Sequence, residues 1–378
     1  MIYLDYSATT PVNPEVLDSL VKVSKDYIGN PNSMHNLGVK SRALLKSATR
    51  QIADCLNVKM EEIIYTSGAT EANNTALLGV ALRYKNRGNH IILSKLEHPS
   101  EYVLANYLEN LGFRISYVNN DSDGLIDLDD LKSLITDKTI LVSIVGVNSE
   151  VGVRQPLKTI RQIIKKENPN TIFHSDLTQG LGKVAINLND VDLASFSGHK
   201  IYGLKGIGCL VKKRGIELVP IIHGGKSQTI YRSGTPMPAL YASFAKALRL
   251  VYTDFDSKYS HIVKLRDFLI NELLKIDLIH VNSNENSIPQ IINFSIQGIK
   301  PETMLHALSE KDIYISTKTA CSEDNSLSES VLALTKNKDL AKSSLRISIS
   351  YLTTEEEIEY FVKVLQEKIK ELSFQKGE

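Results

Sequence analysis

Ile63-Ile64-Tyr65-Thr66-Ser67-Gly68-Ala69-Thr70-Glu71-Ala72-Asn73-Asn74 is the stretch on which the fold turns. A short β-rich run breaks at Ser67-Gly68 and passes directly into residues with helical apolar spacing. Strand into helix through a small-residue turn is half of a βαβ unit. The same alternation extends in both directions. Upstream, Asn13-Pro14-Glu15 opens a helix, with Asn as cap and Pro at its first position, and another helix covers roughly 37–56. Downstream, strand-like runs follow at 90–94, 114–118, 140–145, 172–174, 193–196 and 207–211, with helical segments between most of them. This order predicts an α/β fold with a mainly parallel, seven-stranded-type sheet covered by helices on both faces. In such sheets the loops after the carboxyl ends of the strands gather into one crevice, so the chemistry is sought there.

With 378 residues the chain is long for a single core and fits a large domain plus a smaller one. From about Tyr252 the pattern becomes α+β, with strand-like segments at 291–296 and 346–350. It closes on Thr354-Glu355-Glu356-Glu357 ahead of an amphipathic run. A large domain is expected over 15–255, and a small one over 1–14 and 256–378. The 44 Lys and Arg nearly balance the 43 Asp and Glu, for a net charge of +1, which argues against a chain-wide nucleic-acid surface. No apolar run is long enough to span a membrane, and the N-terminal residues lack the basic start of a signal peptide, so a soluble cytoplasmic protein is expected. Cys55, Cys209 and Cys321 show no disulfide or metal-binding spacing, and no metal is expected.

Several strand ends carry polar groups. Free N–H groups and the Thr70 hydroxyl at the helix start after Gly68 suit a phosphate; an ordinary helix cap fits that turn equally well. The run 171–176 places Asp176 at the end of a buried strand, where a carboxylate needs a cation or several donors, although a turn-capping aspartate is the commoner case. Gln179 follows three residues on. After the run 191–196 comes Ser197-Gly198-His199-Lys200, and a lysine there, beside hydroxyl and imidazole donors, suits a Schiff-base amine. A surface lysine is more common in general; the coincidence of lysine, acid, phosphate turn and His98 at successive strand ends favours the chemical reading. His223-Gly224-Gly225-Lys226-Ser227 is no phosphate loop, because Pro220 stands where that motif needs glycine.

Taken together, these segments closely resemble the group I cysteine desulfurases, pyridoxal-phosphate enzymes of the class V aminotransferase family. The matching stretches include residues 3–11, 29–33, 66–74, Glu97-His98, Glu150-Val151-Gly152, His174-Ser175-Asp176, 196–200, Arg232-Ser233-Gly234-Thr235, Ala320-Cys321-Ser322 and Arg346-Ile347-Ser348, in the family's order over nearly the whole chain. The resemblance implies a type I pyridoxal-phosphate fold with Lys200 as the Schiff-base lysine. It implies Asp176 on the pyridine nitrogen, Gln179 on the ring hydroxyl and His98 stacked on the ring as a proton carrier. Ala69, Thr70, Ser197 and His199 would hold the phosphate, and Thr235 would reach the site of a homodimer partner. Arg346 would bind the substrate carboxylate through its fork, with Asn148 and Ser149 beside it. L-cysteine would become L-alanine as its sulfur passes to Cys321 as a persulfide, carried on a mobile segment of about 317–330. The sulfur acceptor would be an iron–sulfur scaffold or a tRNA-thiolation enzyme, with no direct nucleic-acid or membrane contact.

The chain departs from the family pattern in places. Asn148-Ser149-Glu150 replaces Asn-Asn-Glu, and Thr317-Lys318-Thr319 replaces Ser-Gly-Ser ahead of Cys321, where the added charge of Lys318 is expected to lower the thiol pKa. Residues 226–228 and Ser350-Tyr351 differ as well. These leave two alternatives: a selenocysteine or cysteine lyase of the same fold, and a non-catalytic paralogue acting as a binding subunit.

Overall fold

The computed structural model describes residues 1–317 and 327–374. Its central element is a seven-stranded sheet in the order Ile63–Thr66, Gly208–Lys212, Leu193–Ser197, Ile172–Asp176, Thr139–Ser143, His90–Ser94, Arg114–Val118. All neighbouring pairs are parallel except those made by Gly208–Lys212, which runs antiparallel to both of its neighbours. The mainly parallel sheet expected from the sequence is therefore present, with one reversed strand. The reversal has a simple cause. Only the turn around Lys200 separates Leu193–Ser197 from Gly208–Lys212, too short a connection for the crossover a parallel pair requires.

The five inner strands are buried on both faces, and helices cover each side. Helix Pro14–Asp26 begins as expected, with Pro14 at its first position and the Asn13 side chain accepting from Glu15 N at 2.9 Å. Helix Asn36–Leu56 ends on Asn57, which takes the left-handed conformation at φ 51°. The strand-like run at 140–145 is shorter than expected. Ile144 N still donates to His174 O on the neighbouring strand, whereas Val145 N turns aside to the Glu97 carboxylate.

A second core gathers around the antiparallel sheet Ser344–Ser348, Ile291–Ile296, Ile279–Val281, which helices Phe255–Leu273, Pro301–Ser309 and Glu355–Phe374 cover. The last helix starts where the sequence indicated: Thr354 N donates to Glu357 Oε2 at 3.0 Å and Glu357 N to Thr354 Oγ1 at 3.2 Å, a reciprocal cap. Leu4 belongs to this second core. Its short strand Ile2–Tyr3 pairs with Ile313–Tyr314, and Ser348 N donates to Leu4 O, so the chain's first residues run between Ile313–Tyr314 and the edge strand Ser344–Ser348.

Candidate active site

A cleft of about 830 Å3 opens beyond the carboxyl ends of the central strands. Its floor is the turn into helix Ala69–Tyr84, whose first N–H groups have no carbonyl one turn back and are oriented for an anion. Gly208 allows the strands to meet beneath this turn. A Cβ at that position would sit 2.4 Å from Phe196 O and 2.8 Å from Gly68 Cα. Glu71 locks the turn by accepting from Ser67 N at 2.7 Å and from Arg232 Nε at 3.0 Å. Burial opposes its charge, but these bonds outweigh burial and hold Glu71 below the usual carboxylate range.

Asp176 ends its strand inside the cleft. Oδ1 accepts from Thr178 N at 2.9 Å and Oδ2 from Asn73 Nδ2 at 2.8 Å. Asn73 also donates to Ser100 Oγ, which meets His98 Nδ1 at 2.9 Å, so one chain of bonds connects Asp176 to His98. His98 caps helix Pro99–Asn110 by accepting the Ser100 N–H at Nδ1, which assigns the proton of the neutral ring to Nε2. Burial, partly opposed by Asp176 and reinforced by Lys200, lowers its pKa and favours that neutral form.

Lys200 Nζ donates to Ser7 O at 2.5 Å and to Ala8 O at 2.7 Å, while His199 Nδ1 meets Thr9 Oγ1 at 3.1 Å. The N-terminal arm is thus a wall of the cleft. Burial first, then the cations of Lys200, Lys205 and Lys183, push His199 down to about 4. Arg346 is 2% exposed, with Nη2 donating to Asp5 Oδ1 at 2.7 Å and Nη1 to Ser149 O at 2.9 Å. The other N–H groups of its fork leave capacity for a carboxylate in the cleft that it lines.

Beneath Asp176 lies a buried polar layer that sequence reading did not detect. Glu97 Oε1 accepts from Ser94 Oγ at 2.5 Å and Val145 N at 2.7 Å, and Oε2 has no partner among the described residues. Burial pushes Glu97 up to about 8. Glu101 is raised well above the usual carboxyl value, by burial and then by Glu97 and Asp176; burial lowers His174 to about 4. Ser143 Oγ joins Glu101 Oε2 at 2.5 Å to His174 Nδ1 at 2.7 Å, and the shifts make this a neutral hydrogen-bonded pair instead of a salt bridge.

The cleft thus brings together Ala69, Thr70, His98 and Asp176; Gln179, Ser197, His199 and Lys200; and Asn148, Ser149 and Arg346. Asn148 lines the cleft with its amide already engaged: Oδ1 accepts from Glu150 N and Val151 N, and Nδ2 donates to Ser330 Oγ at 3.1 Å. Ser149 contributes its carbonyl to Arg346. Thr235 is exposed and does not line the cleft. Cys321 and Lys318 lie outside the described residues, as does most of 317–330. Asn73, Asp5 and the arm residues Ser7 and Ala8 were missed as functional groups; the signal available for Asn73 was an asparagine one turn into a helix whose buried face is otherwise mostly small and apolar residues.

The class of protein follows from comparison with known families: the chain belongs to the class-V aminotransferases, whose family profile matches residues 2–361. Within that class its relatives are cysteine desulfurases. The cysteine desulfurase IscS of Dictyoglomus turgidum is 37% identical over 376 residues, covering 98% of this chain and 95% of the relative. A solved NifS-like protein superposes with a TM-score of 0.92 at 34% identity, covering 99% of each chain. A second, SspA in complex with cysteine, gives 0.82 at 30% identity, covering 94% of this chain and all of its own. The protein is an enzyme of this class, and its cofactor is pyridoxal 5'-phosphate. The cleft suits that group: Asp176 is a buried carboxylate with neutral donors and no ion pair among the described residues, a site that a protonated pyridine nitrogen would fit as counter-cation. Among the described residues no helix is long and apolar enough to cross a membrane.

Proposed function

We propose that this protein is a cysteine desulfurase that converts L-cysteine to L-alanine and retains the sulfur on Cys321. The observation that carries the reading is the convergence of Lys200, Asp176, His98 and Arg346 in one cleft; the desulfurase relatives and the cysteine-bound neighbour support the choice of substrate.

Ala69, Thr70, Ser197 and His199 would hold the cofactor phosphate, Asp176 would pair with the ring nitrogen, Gln179 would meet the ring hydroxyl and Lys200 would anchor it covalently. When bound, pyridoxal 5'-phosphate supplies an electron sink for the substrate α-carbon. Arg346, held by Asp5 and Ser149, orients the substrate carboxylate. Lys200 and His98 Nε2 line the cleft and would move protons above its floor. The Cys321 thiolate attacks the substrate sulfur. An S–S bond forms as the C–S bond breaks, and the pair left on carbon is protonated to give alanine.

The domain division at 15–255, with 1–14 joined to 256–378, belongs to the same reading, supported by the placement of Leu4 in the second core. So does a homodimer in which Thr235 serves the partner's site. Support for it is the exposed position of Thr235 on a segment that also exposes Ile222, Ile230 and Met237. The acceptor is an iron–sulfur scaffold or a tRNA-thiolation enzyme, in the cytoplasm. Alanine formation from L-cysteine by the cofactor-loaded protein, run beside Cys321→Ser, tests the assignment. Alanine from the wild type alone is expected; alanine from both would favour a lyase, and from neither a binding subunit.

A further inference from the structure

Gln179 and Lys183 stand four residues apart in the turns that follow strand Ile172–Asp176, where Leu181 N and Val184 N donate back to Leu177 O and Gly180 O. Between them Gly182 has φ +69°, and a Cβ there would meet Val251 Cγ1 and Cγ2 at 2.7 Å, so glycine alone fits. The turn directs Lys183 back toward Gln179, and Gln290 Nε2 fixes its backbone by donating to Lys183 O at 2.8 Å.

The Lys183 Nζ group donates to Gln179 Oε1. At the opposite end of that amide, Gln179 Nε2 donates to Ser7 O at 2.9 Å. The two ends of a glutamine amide are nearly identical in shape and opposite in hydrogen-bonding sense. A backbone carbonyl only accepts, so it selects the NH2 end, and the amine selects the oxygen. With both ends assigned, Nε2 keeps a second N–H for a ligand in the cleft that Gln179 lines. Lys183 itself does not line that cleft. It borders a separate cavity of about 30 Å3, together with Ser7, Lys200 and Gln290. Burial, then the Lys200 and Arg346 cations, push the Lys183 amine well below an ordinary lysine; the N–H donors remain in either protonation state.

We propose that Lys183 is a positioning residue of the cofactor site, gripping the carbonyl end of Gln179 so that the amide presents N–H to the ring hydroxyl of pyridoxal 5'-phosphate. The inference rests on the assignment of Gln179 to that hydroxyl. Its role is distinct from that of Lys200, because Lys183 acts on the cofactor only through Gln179.

The test is the dissociation constant of pyridoxal 5'-phosphate from the full-length protein, measured by equilibrium dialysis for the wild type, Lys183→Met, Gln179→Leu and the double variant. Far-UV circular dichroism of each apo-protein checks the fold. Loss of a hydrogen bond to a charged oxygen is expected to weaken binding roughly tenfold in Gln179→Leu, and Lys183→Met should lose several-fold. The double variant should bind no worse than Gln179→Leu, because Lys183 has nothing left to position. Lys183→Arg, which keeps a donor facing Oε1, should restore affinity to within about twofold of the wild type and serves if Lys183→Met fails to fold. Unchanged binding in Lys183→Met beside weakened binding in Gln179→Leu would overturn the inference and leave the Gln179 assignment standing, as would penalties that add in the double variant. Unchanged binding in Gln179→Leu would overturn the assignment itself.

Discussion

Replacing Glu97 with Gln should stabilise the apo-protein, and only at neutral pH. Burial raises the Glu97 carboxyl from 4.5 to about 8, while an unfolded chain ionises it freely near its ordinary value. Between those two values the folded state binds more protons than the unfolded one. Stability therefore falls as pH rises through that window, the opposite of a salt-bridged carboxylate. At pH 7 the native state has been carried about 2.5 pH units past the ordinary carboxyl value, which at ~1.4 kcal/mol per unit amounts to about 3 kcal/mol. Glutamine keeps an oxygen for Val145 N and Ser94 Oγ, so the hydrogen bonds of the protonated acid survive the exchange. Urea unfolding of wild type and Glu97→Gln at pH 5 and pH 7 measures the effect. The two proteins should differ little at pH 5, and the variant should be more stable by about 3 kcal/mol at pH 7. A difference of the same size at both pH values, or a variant less stable at pH 7, would refute the argument that Glu97 is protonated in the native protein.

Arg346→Lys should keep the charge and lose the fork, raising KM for L-cysteine by roughly ten- to a hundredfold with a smaller change in kcat, measured from alanine production. Asp5→Ala removes the carboxylate 2.7 Å from a guanidinium that is almost fully buried. Chemical denaturation should show a loss on the order of 3 kcal/mol, because among the described residues a buried cation is left with the Ser149 carbonyl as its side chain's remaining hydrogen-bond partner. Ser328→Ala removes both the cap on Val331 N and the bond to Glu150 Oε2. A cost of about 1 kcal/mol is expected from thermal unfolding.

The order of strands and helices was legible because it depends on local patterns. The small-residue turn at Ser67-Gly68, the cap at Asn13 and the box at Thr354 each report their own neighbourhood. The positions of Lys200 and Asp176 followed from a general rule about strand ends. What was not legible depends on contacts distant in sequence. Ser7 and Ala8 meet Lys200 nearly two hundred residues later, and Asp5 meets Arg346 across most of the chain. The Glu97, Glu101 and His174 layer was not legible as a unit: the sequence places His174 on a buried strand, but the Ser143 hydroxyl that links it to Glu101 comes from a strand 31 residues away. Asn148 illustrates the converse. Its place at the cleft was readable from the resemblance, but the use of its amide to hold the turn to Val151 emerges only from the backbone geometry.

The most direct measurement is mass spectrometry of the cofactor-loaded protein after one equivalent of L-cysteine without reductant, with peptide mapping of the Cys321 segment. One added sulfur on Cys321, lost on treatment with a thiol, is the predicted result, with an equal amount of alanine released. Alanine without added sulfur on Cys321, or sulfur found on Cys55 or Cys209 instead, would contradict the account.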